Sequence, residues 1–332
     1  MKVGQRYAET NPGRKRRRNE DSFVCDPPLF AVADGMGGAQ AGEVASSLAA
    51  NALKERGEGD GGDGERRVAE LIQEANRRVH QRALDDEAAS GMGTTMTVAL
   101  FHEDGAVAIG HVGDSRAYLL RDGGLEQITD DHSLVAELVR RGELSPEEAE
   151  VHPQRSVITR ALGTDPDVDV DTFTLQARDG DLFLLCSDGL TTMVDVETIT
   201  EIVAKHRHDL HATARALIKE ANDHGGDDNI TTVLFDVAEG VQEDETAAEF
   251  DPGARSADDE DTLHPEDTLA IGDGDGDTSI ITVEEIRSAL EAEAGAEDEQ
   301  PRVPLWRWFV SALLILALAV LALFLVFRGL AR

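Results

Sequence analysis

Acidic residues recur at the ends of apolar runs in this chain. The run Leu29–Ala33 ends in Asp34, which Gly35, Met36, Gly37 and Gly38 follow. Leu182–Cys186 leads through Ser187 to Asp188 and Gly189. Asp227, Asp228 and Asn229 precede the run Ile230–Val237, and Asn19, Glu20 and Asp21 precede Ser22–Val24. Asp114 sits within Val112–Arg116, a break in a further strand-like run. Carboxylates joined by backbone carbonyls suit a hard cation such as Mg²⁺ or Mn²⁺. Glycines beside them let the backbone approach an ion, because no Cβ intervenes. One Asp-Gly step alone reads as a tight turn with an acidic cap. Five such strand ends, spread from Asn19 to Asn229, argue for convergence on one site.

The elements that must present these groups follow from periodicity. Apolar runs of four to eight residues bounded by glycine read as buried strands. Residues 2–35 read as strands around a basic turn, Arg14–Arg18. Residues 39–56 and 65–84 carry helical patterns, with Val44, Leu48 and Ala52 on one face and Val68, Leu71, Ile72 and Val79 on the next. Gly57–Gly64 is a glycine-rich acidic loop between them. Residues 92–128 alternate as strands, with turns at His102–Gly105 and Arg121–Gly124, the latter a strong hairpin signal. Residues 132–165 are irregular with short helices, 168–186 return to strands, 195–223 form two helices, and 229–237 is a closing strand. Blocks of helices and antiparallel strands, without βαβ repeats, predict an α+β fold.

Composition narrows the function. The chain has 332 residues and a formal charge of −35, which argues against nucleic acid as a partner, since phosphates need a basic footprint. Cys25 and Cys186 lie in separate apolar strands and read as core residues in a reducing compartment, not as a disulfide or zinc pair.

Seven motifs in order resemble the metal-dependent protein serine/threonine phosphatases, the PPM (type 2C) family, in its bacterial form. They are Arg16-x-x-Asn19-Glu20-Asp21, Asp34–Gly38, Gly42-Glu43, Gly93-Thr94-Thr95, Gly113–Arg116, Ser187-Asp188-Gly189 and Gly226-x-Asp228-Asn229, and they cover residues 1–238. The resemblance implies a four-layer α-β-β-α sandwich of two antiparallel sheets, with metals in a cleft at one edge. It implies Mn²⁺ or Mg²⁺ as cofactor: two ions, with a third held more weakly in bacterial members. Asp34 would bridge the two, with the Gly35 carbonyl and Glu20 on one and Asp188 and Asp228 on the other. Asp114 would serve the third. Asp21 would orient water at the metals, and Arg16, five residues before Asp21, would hold a phosphoryl oxygen. A hydroxide bridging the metals would attack phosphorus in line, without a phosphoenzyme. The region 132–165 would contain the mobile flap beside the site. Some members carry a histidine after the Asp-Gly pair, proposed as general acid. Met36 stands there in this chain, and neither His132 nor His152 is assigned that role. The implied substrates are proteins phosphorylated on serine or threonine, with a cognate Ser/Thr kinase as the opposing partner.

Beyond residue 238 the composition changes. Residues 239–300 hold 22 Asp and Glu against Arg255 and Arg287, so 239–304 reads as an acidic, mostly disordered linker. Asp273, Asp275, Asp277, Ile280 and Glu284 fall on EF-hand loop spacing, but Thr278 replaces the glycine that the loop's sharp turn wants, so the linker reading is taken over a calcium site. Residues 305–327 read as a transmembrane helix. Trp308–Phe327 has Ser311 as its one polar residue, and twenty residues match the bilayer core. Trp306 and Trp308 suit the interface, and residues 328–332 form a short tail. With no apolar N-terminal signal, the expectation is a single-pass inner-membrane protein with a cytoplasmic catalytic domain. Two other classes stay open: a phosphoprotein-binding pseudophosphatase, whose signature would be a missing metal aspartate, and a membrane-tethered signalling scaffold working through the acidic linker.

Overall fold

The computed structural model describes residues 1–37, 41–56 and 63–239. Among these no helix is long and apolar enough to cross a membrane. The expected span 305–327, the tail, the EF-hand-like stretch, most of the Gly57–Gly64 loop and all of the linker but Glu239 lie outside the described residues.

Among the described residues eleven strands form two antiparallel sheets. The first holds β1 (Lys2–Asn11), β11 (Ile230–Ala238), β10 (Leu182–Cys186), β7 (Arg116–Arg121) and β8 (Gly124–Gln127), in that spatial order. The second holds β2 (Asp21–Asp26), β3 (Leu29–Met36), β5 (Met96–Phe101), β6 (Ala106–Val112) and β9 (Asp171–Gln176), with the short β4 (Gly93–Thr94) paired to the end of β3. Helices α1 (Ala41–Arg56) and α2 (Gly64–Asp85) cover the second sheet, and α6 (Val196–His206) and α7 (Leu210–Asp223) cover the first. Three short helices, α3 (Leu134–Arg140), α4 (Pro146–Glu150) and α5 (Asp188–Thr191), lie in the connections.

Alternation along each strand builds the layers, because successive side chains point to opposite faces. In β10, Phe183 and Leu185 enter the core between the sheets, while Leu182 and Leu184 face α6 and α7. In β3, Phe30 and Val32 face inward and Ala31 and Ala33 face α1 and α2. Phe30 stacks on Phe235 at 4.0 Å between centroids, and Phe235 on Phe183 at 4.8 Å, so aromatic rings clamp β3, β11 and β10 together. The result is the expected four-layer α-β-β-α arrangement.

The helical faces differ in one detail. Val68, Leu71, Ile72 and Val79 of α2 are buried as the spacing predicts. On α1 the deepest face is Ala45, Ala49, Ala52 and Leu53, with Val44 and Leu48 only half-buried at its flank. Small alanines let α1 lie close to both the sheet and α2, so the bulkier apolar residues are displaced to the rim. The Arg121–Gly124 hairpin forms as expected, with Asp122 and Gly123 both at positive φ, as its tight turn requires.

Candidate active site

The acids gather because the strands that carry them end at one edge of the sandwich. Asp34 lies two residues before the end of β3, and Asp21 opens β2 directly opposite it in register. Cys186, the last residue of β10, pairs with Thr232 near the start of β11 and with Arg116 at the start of β7. Asp188 just after β10, Asp228 just before β11 and Asp114 just before β7 therefore share the matching edge of the other sheet.

Their surroundings are electrostatically severe. Burial, followed by repulsion from Asp21, Asp188, Asp228 and Asp114, pushes the Asp34 carboxyl well above the usual carboxylate range. Burial and then Asp228 push Asp188 up to about 6, against a hydrogen bond that it shares with Asp34. Asp21 is pushed up to about 7 by burial, although Ser187 Oγ and Thr231 Oγ1 donate to its Oδ2 at 2.8 and 2.6 Å. Asp114 is raised well above its ordinary value by burial and then by Asp188. Asp228 takes the Arg16 guanidinium on Oδ2 at 2.8 Å and the Asn229 N–H on Oδ1 at 2.8 Å.

Backbone geometry completes the edge. Thr95 holds the end of β3 twice: the Asp34 N–H donates to its Oγ1 at 3.0 Å, and its own N–H donates to the Asp34 carbonyl at 2.9 Å. Asn229 clamps the loop that carries Arg16. It accepts the Glu20 N–H at 2.8 Å and donates to the Pro12 and Arg18 carbonyls at 3.0 and 2.8 Å. The start of α1 presses on the end of β3. A Cβ at Gly42 would stand 2.7 Å from Glu20 Oε2 and 2.8 Å from the Gly35 carbonyl, and one at Gly35 would stand 2.1 Å from the Gly42 carbonyl. Only glycine at both places brings the Gly35 carbonyl and the Glu20 carboxylate so close together.

Whether a hard cation fits can be read from unmet demand. Among the described residues no three or more His, Cys, Asp or Glu side chains make a ready-formed metal cage. Yet burial and mutual repulsion raise the Asp34 and Asp188 carboxyls, which then favour holding a proton. Asp21 Oδ1 and Asp114 Oδ1 are buried with no hydrogen-bond partner. Several acids thus crowd one edge, and one guanidinium and shared protons do not satisfy all of them. All-oxygen donors with surplus negative charge are what Mg²⁺ and Mn²⁺ take. The residues fit the group.

All eight expected residues, Arg16, Glu20, Asp21, Asp34, Gly35, Asp114, Asp188 and Asp228, lie at this edge. Sequence reasoning missed several supports. His111 and Thr97 are buried behind the Asp114 turn, the Arg116 guanidinium grips Asp131 with bonds of 2.7–3.1 Å, and Ser187 and Thr231 hold Asp21. The available signals were the hydroxyls flanking Asp188 and Asp228 and the lone polar His111 in an apolar strand. Cys186 is buried, as its strand context predicts, whereas Cys25 is only half-buried against the core between the sheets.

The chain is thus an α-β-β-α sandwich with an acid-lined edge. Residues 14–234 match the family model described as Protein phosphatase 2C. The chain belongs to that family. It is 41% identical over 237 residues to the serine/threonine phosphatase stp of Listeria welshimeri, which covers 68% of this chain and 93% of that one. The crystal structure of the Mycobacterium tuberculosis serine/threonine phosphatase PstP/Ppp matches with a TM-score of 0.68 at 41% identity, over 71% of this chain and all of that one. The PstP catalytic domain, crystallised in complex with two manganese ions, matches at 0.66 and 39% identity, over 71% of this chain and 99% of that one.

Proposed function

We propose that this chain removes phosphate from phosphoserine and phosphothreonine in proteins, with two Mn²⁺ or Mg²⁺ ions at the sandwich edge. The observation that carries the reading is the cluster of Asp34, Asp188, Asp21, Asp114 and Asp228 beside Arg16, in which four carboxyls are raised by burial and mutual repulsion and two carboxylate oxygens have no hydrogen-bond partner. The names of the relatives and the manganese ions of PstP support it. Asp34 would be held in common by the two ions, the Gly35 carbonyl and Glu20 would serve one, Asp188 and Asp228 the other, and Asp114 a third, weaker ion. When bound, the ions neutralise the phosphate, lower the pKa of a water and align it for in-line attack.

The chain's own residues do the rest. Ser187 and Thr231 fix Asp21 Oδ2 and leave Oδ1 buried without a hydrogen-bond partner, so that Asp21 would orient water at the metals through that oxygen. Arg16 exchanges Asp228 for a phosphoryl oxygen, holding substrate by charge-assisted hydrogen bonds. Met36 cannot supply the leaving-group proton. His132 is enclosed, and His152 is not assigned the role. The leaving group would take its proton from water.

The opposing partner is a Ser/Thr protein kinase. Residues 305–327 anchor the chain in the inner membrane, with residues 1–238 on the cytoplasmic side and 239–304 as the tether. The test is hydrolysis of a phosphothreonine peptide and of p-nitrophenyl phosphate by the full chain with Mn²⁺, and its loss in EDTA. Asp34→Asn should lower kcat by several orders of magnitude. Arg16→Ala should cost about 2–4 kcal/mol of transition-state stabilisation, the scale of losing one charged clamp. Full activity in excess EDTA would overturn the metal-dependent reading, and undiminished peptide binding without turnover would favour a pseudophosphatase.

A further inference from the structure

Behind the Asp114 turn stands a histidine that no step above uses. His132 is 2% exposed and opens the segment that leads through α3 and α4. Its backbone N–H donates to the Gly113 carbonyl at 2.8 Å, and the Gly113 N–H donates back to its Nδ1 at 3.0 Å. The second bond sets the tautomer: Nδ1 accepts, so Nε2 carries the hydrogen. That hydrogen points to Asp171 Oδ2 at 3.1 Å. Arg160 Nη1 lies 3.0 Å from the same nitrogen, but both atoms carry hydrogen, so this is a contact and not a bond. Asp171 holds both groups, accepting Arg160 Nη1 on Oδ1 at 2.5 Å.

The position of these partners matters. Gly113 has φ +113°, and β6 has ended at Val112, so His132 takes the place of a strand neighbour for that peptide. Arg160 belongs to the returning end of the same segment, where the Thr159 N–H donates to the His132 carbonyl at 2.9 Å. Leu162, two residues on, exchanges backbone bonds with Thr94 at 2.9 and 3.1 Å, beside the end of β3. His111 backs the ring at 4.8 Å between centroids and bonds the Asp130 carbonyl at 3.1 Å. The imidazole therefore joins the turn that presents Asp114 to the first residue of β9, and Asp171 and the His132 backbone carry the link on to Arg160 and Thr159 at the returning end of the segment.

We propose that His132 is a positioning residue that holds the Asp114 turn in its ligating shape, and that it couples cation affinity at Asp114 to the seating of the 132–162 segment through Asp171 and Arg160. The proposal rests on the function proposed above only for the identity of the cation.

The test uses the full chain and Mn²⁺ alone, followed by isothermal titration calorimetry, with melting in EDTA as the check on folding. His132→Asn keeps an acceptor where Nδ1 stands and gives up the Asp171 arm. His132→Gln reaches toward Asp171 and gives up the Gly113 acceptor. His132→Gln should weaken the weakest Mn²⁺ step by about 10-fold to 100-fold and leave the tighter steps unchanged, the usual scale for removing a support behind a ligand. His132→Asn should recover only part of that loss, the remainder matching the effect of losing the Asp171 arm. Asp171→Asn, which touches no proposed ligand, should weaken the same step, and Asp114→Asn should abolish it. At saturating Mn²⁺ the kcat of His132→Gln should return toward wild type while its half-saturating Mn²⁺ stays raised. Wild-type isotherms for both His132 variants would overturn the proposal, as would equal weakening of every step together with a lowered melting temperature. If the wild type hydrolyses phosphopeptide while the His132 variants bind Mn²⁺ normally, this inference alone fails. If the wild type binds Mn²⁺ in steps sensitive to His132 but does not hydrolyse phosphate, the functional reading alone fails. A wild type that binds no Mn²⁺ overturns both.

Discussion

At the scale of single residues, the site is a set of charges in conflict, and the conflict has a pH signature. Asp21, Asp34, Asp114 and Asp188 all have folded-state values raised above an ordinary carboxyl, chiefly by burial, with Asp188 at about 6 and Asp21 at about 7. A group whose folded value is raised binds protons more tightly in the folded state. Its contribution is complete below the unfolded value near 4 and is lost as pH rises through the folded value. In EDTA the melting temperature should therefore lose this contribution between about pH 4 and pH 7. Burial and the neighbouring His132 lower the His111 value to about 4, which acts oppositely: its contribution is present above about 6.5 and lost as pH falls toward 4. It acts alike with and without metal, so the informative quantity is the melting temperature in Mn²⁺ minus that in EDTA. That difference should widen steadily from pH 4 to pH 7.5, because only there do the cations replace protons and cancel repulsion. A difference independent of pH would mean that the acids are not where the metal binds. The acids themselves were legible in the sequence, since Asp beside Gly at a strand end is a local pattern. Their neutralising partners were not. Asp21 depends on Ser187 and Thr231, and Asp228 on Arg16, across 166 to 212 residues of chain. No local pattern encodes such a pairing.

At the scale of elements, the requirement is that α1 begin against the end of β3. Strands, helices and the Arg121–Gly124 turn could be read from alternation, helical spacing and turn chemistry, because each is a local property of its own segment. The contact between Gly42 and Gly35 is not local, and neither is the way that α5 starts on Asp188 or that β4 adds two residues beside β3. Gly42→Ala tests this contact. In an open helix the change would gain roughly 0.5–1 kcal/mol in helix propensity. Here the new Cβ meets the Gly35 backbone and the Glu20 carboxylate below 3 Å, and forced overpacking costs about 1–3 kcal/mol. The second term wins. The variant should melt a few degrees lower and need more Mn²⁺ for half-maximal activity, since relief of the clash moves the Gly35 carbonyl and Glu20 apart. Gly124→Ala is the control: its nearest neighbour would be 3.8 Å away, so metal dependence should not change. A Gly42→Ala protein with wild-type Mn²⁺ dependence would show that the close approach serves packing alone.

At the scale of the whole molecule, the chain divides by composition into a catalytic part, an acidic stretch and an apolar end. The proposed anchor and the charge of the stretch before it make opposite demands. Twenty apolar residues inserted as a helix would be effectively irreversible in a bilayer, whereas a surface helix or a single acyl chain is reversible. Residues 239–300 carry 22 acids against two bases, and an anionic inner leaflet would repel them. Together these favour a catalytic head held near the membrane but off its surface. A flexible coil of about 60 residues reaches roughly 40–45 Å, and self-repulsion would extend it. Substrates would then be selected by distance from the anchor as well as by sequence, and activity on a soluble peptide should not depend on the tail. The full chain should sediment with membranes and resist carbonate extraction, while truncation after Gln300 should release an enzyme with the same kcat on a phosphothreonine peptide. On vesicles bearing a phosphorylated membrane protein, the anchored form should act faster than the truncated one, because tethering raises the local concentration. Equal partition of the two forms into the soluble fraction would overturn the anchor. A truncated form with altered kcat on the free peptide would show that residues beyond 300 act on the catalytic site and do more than place it.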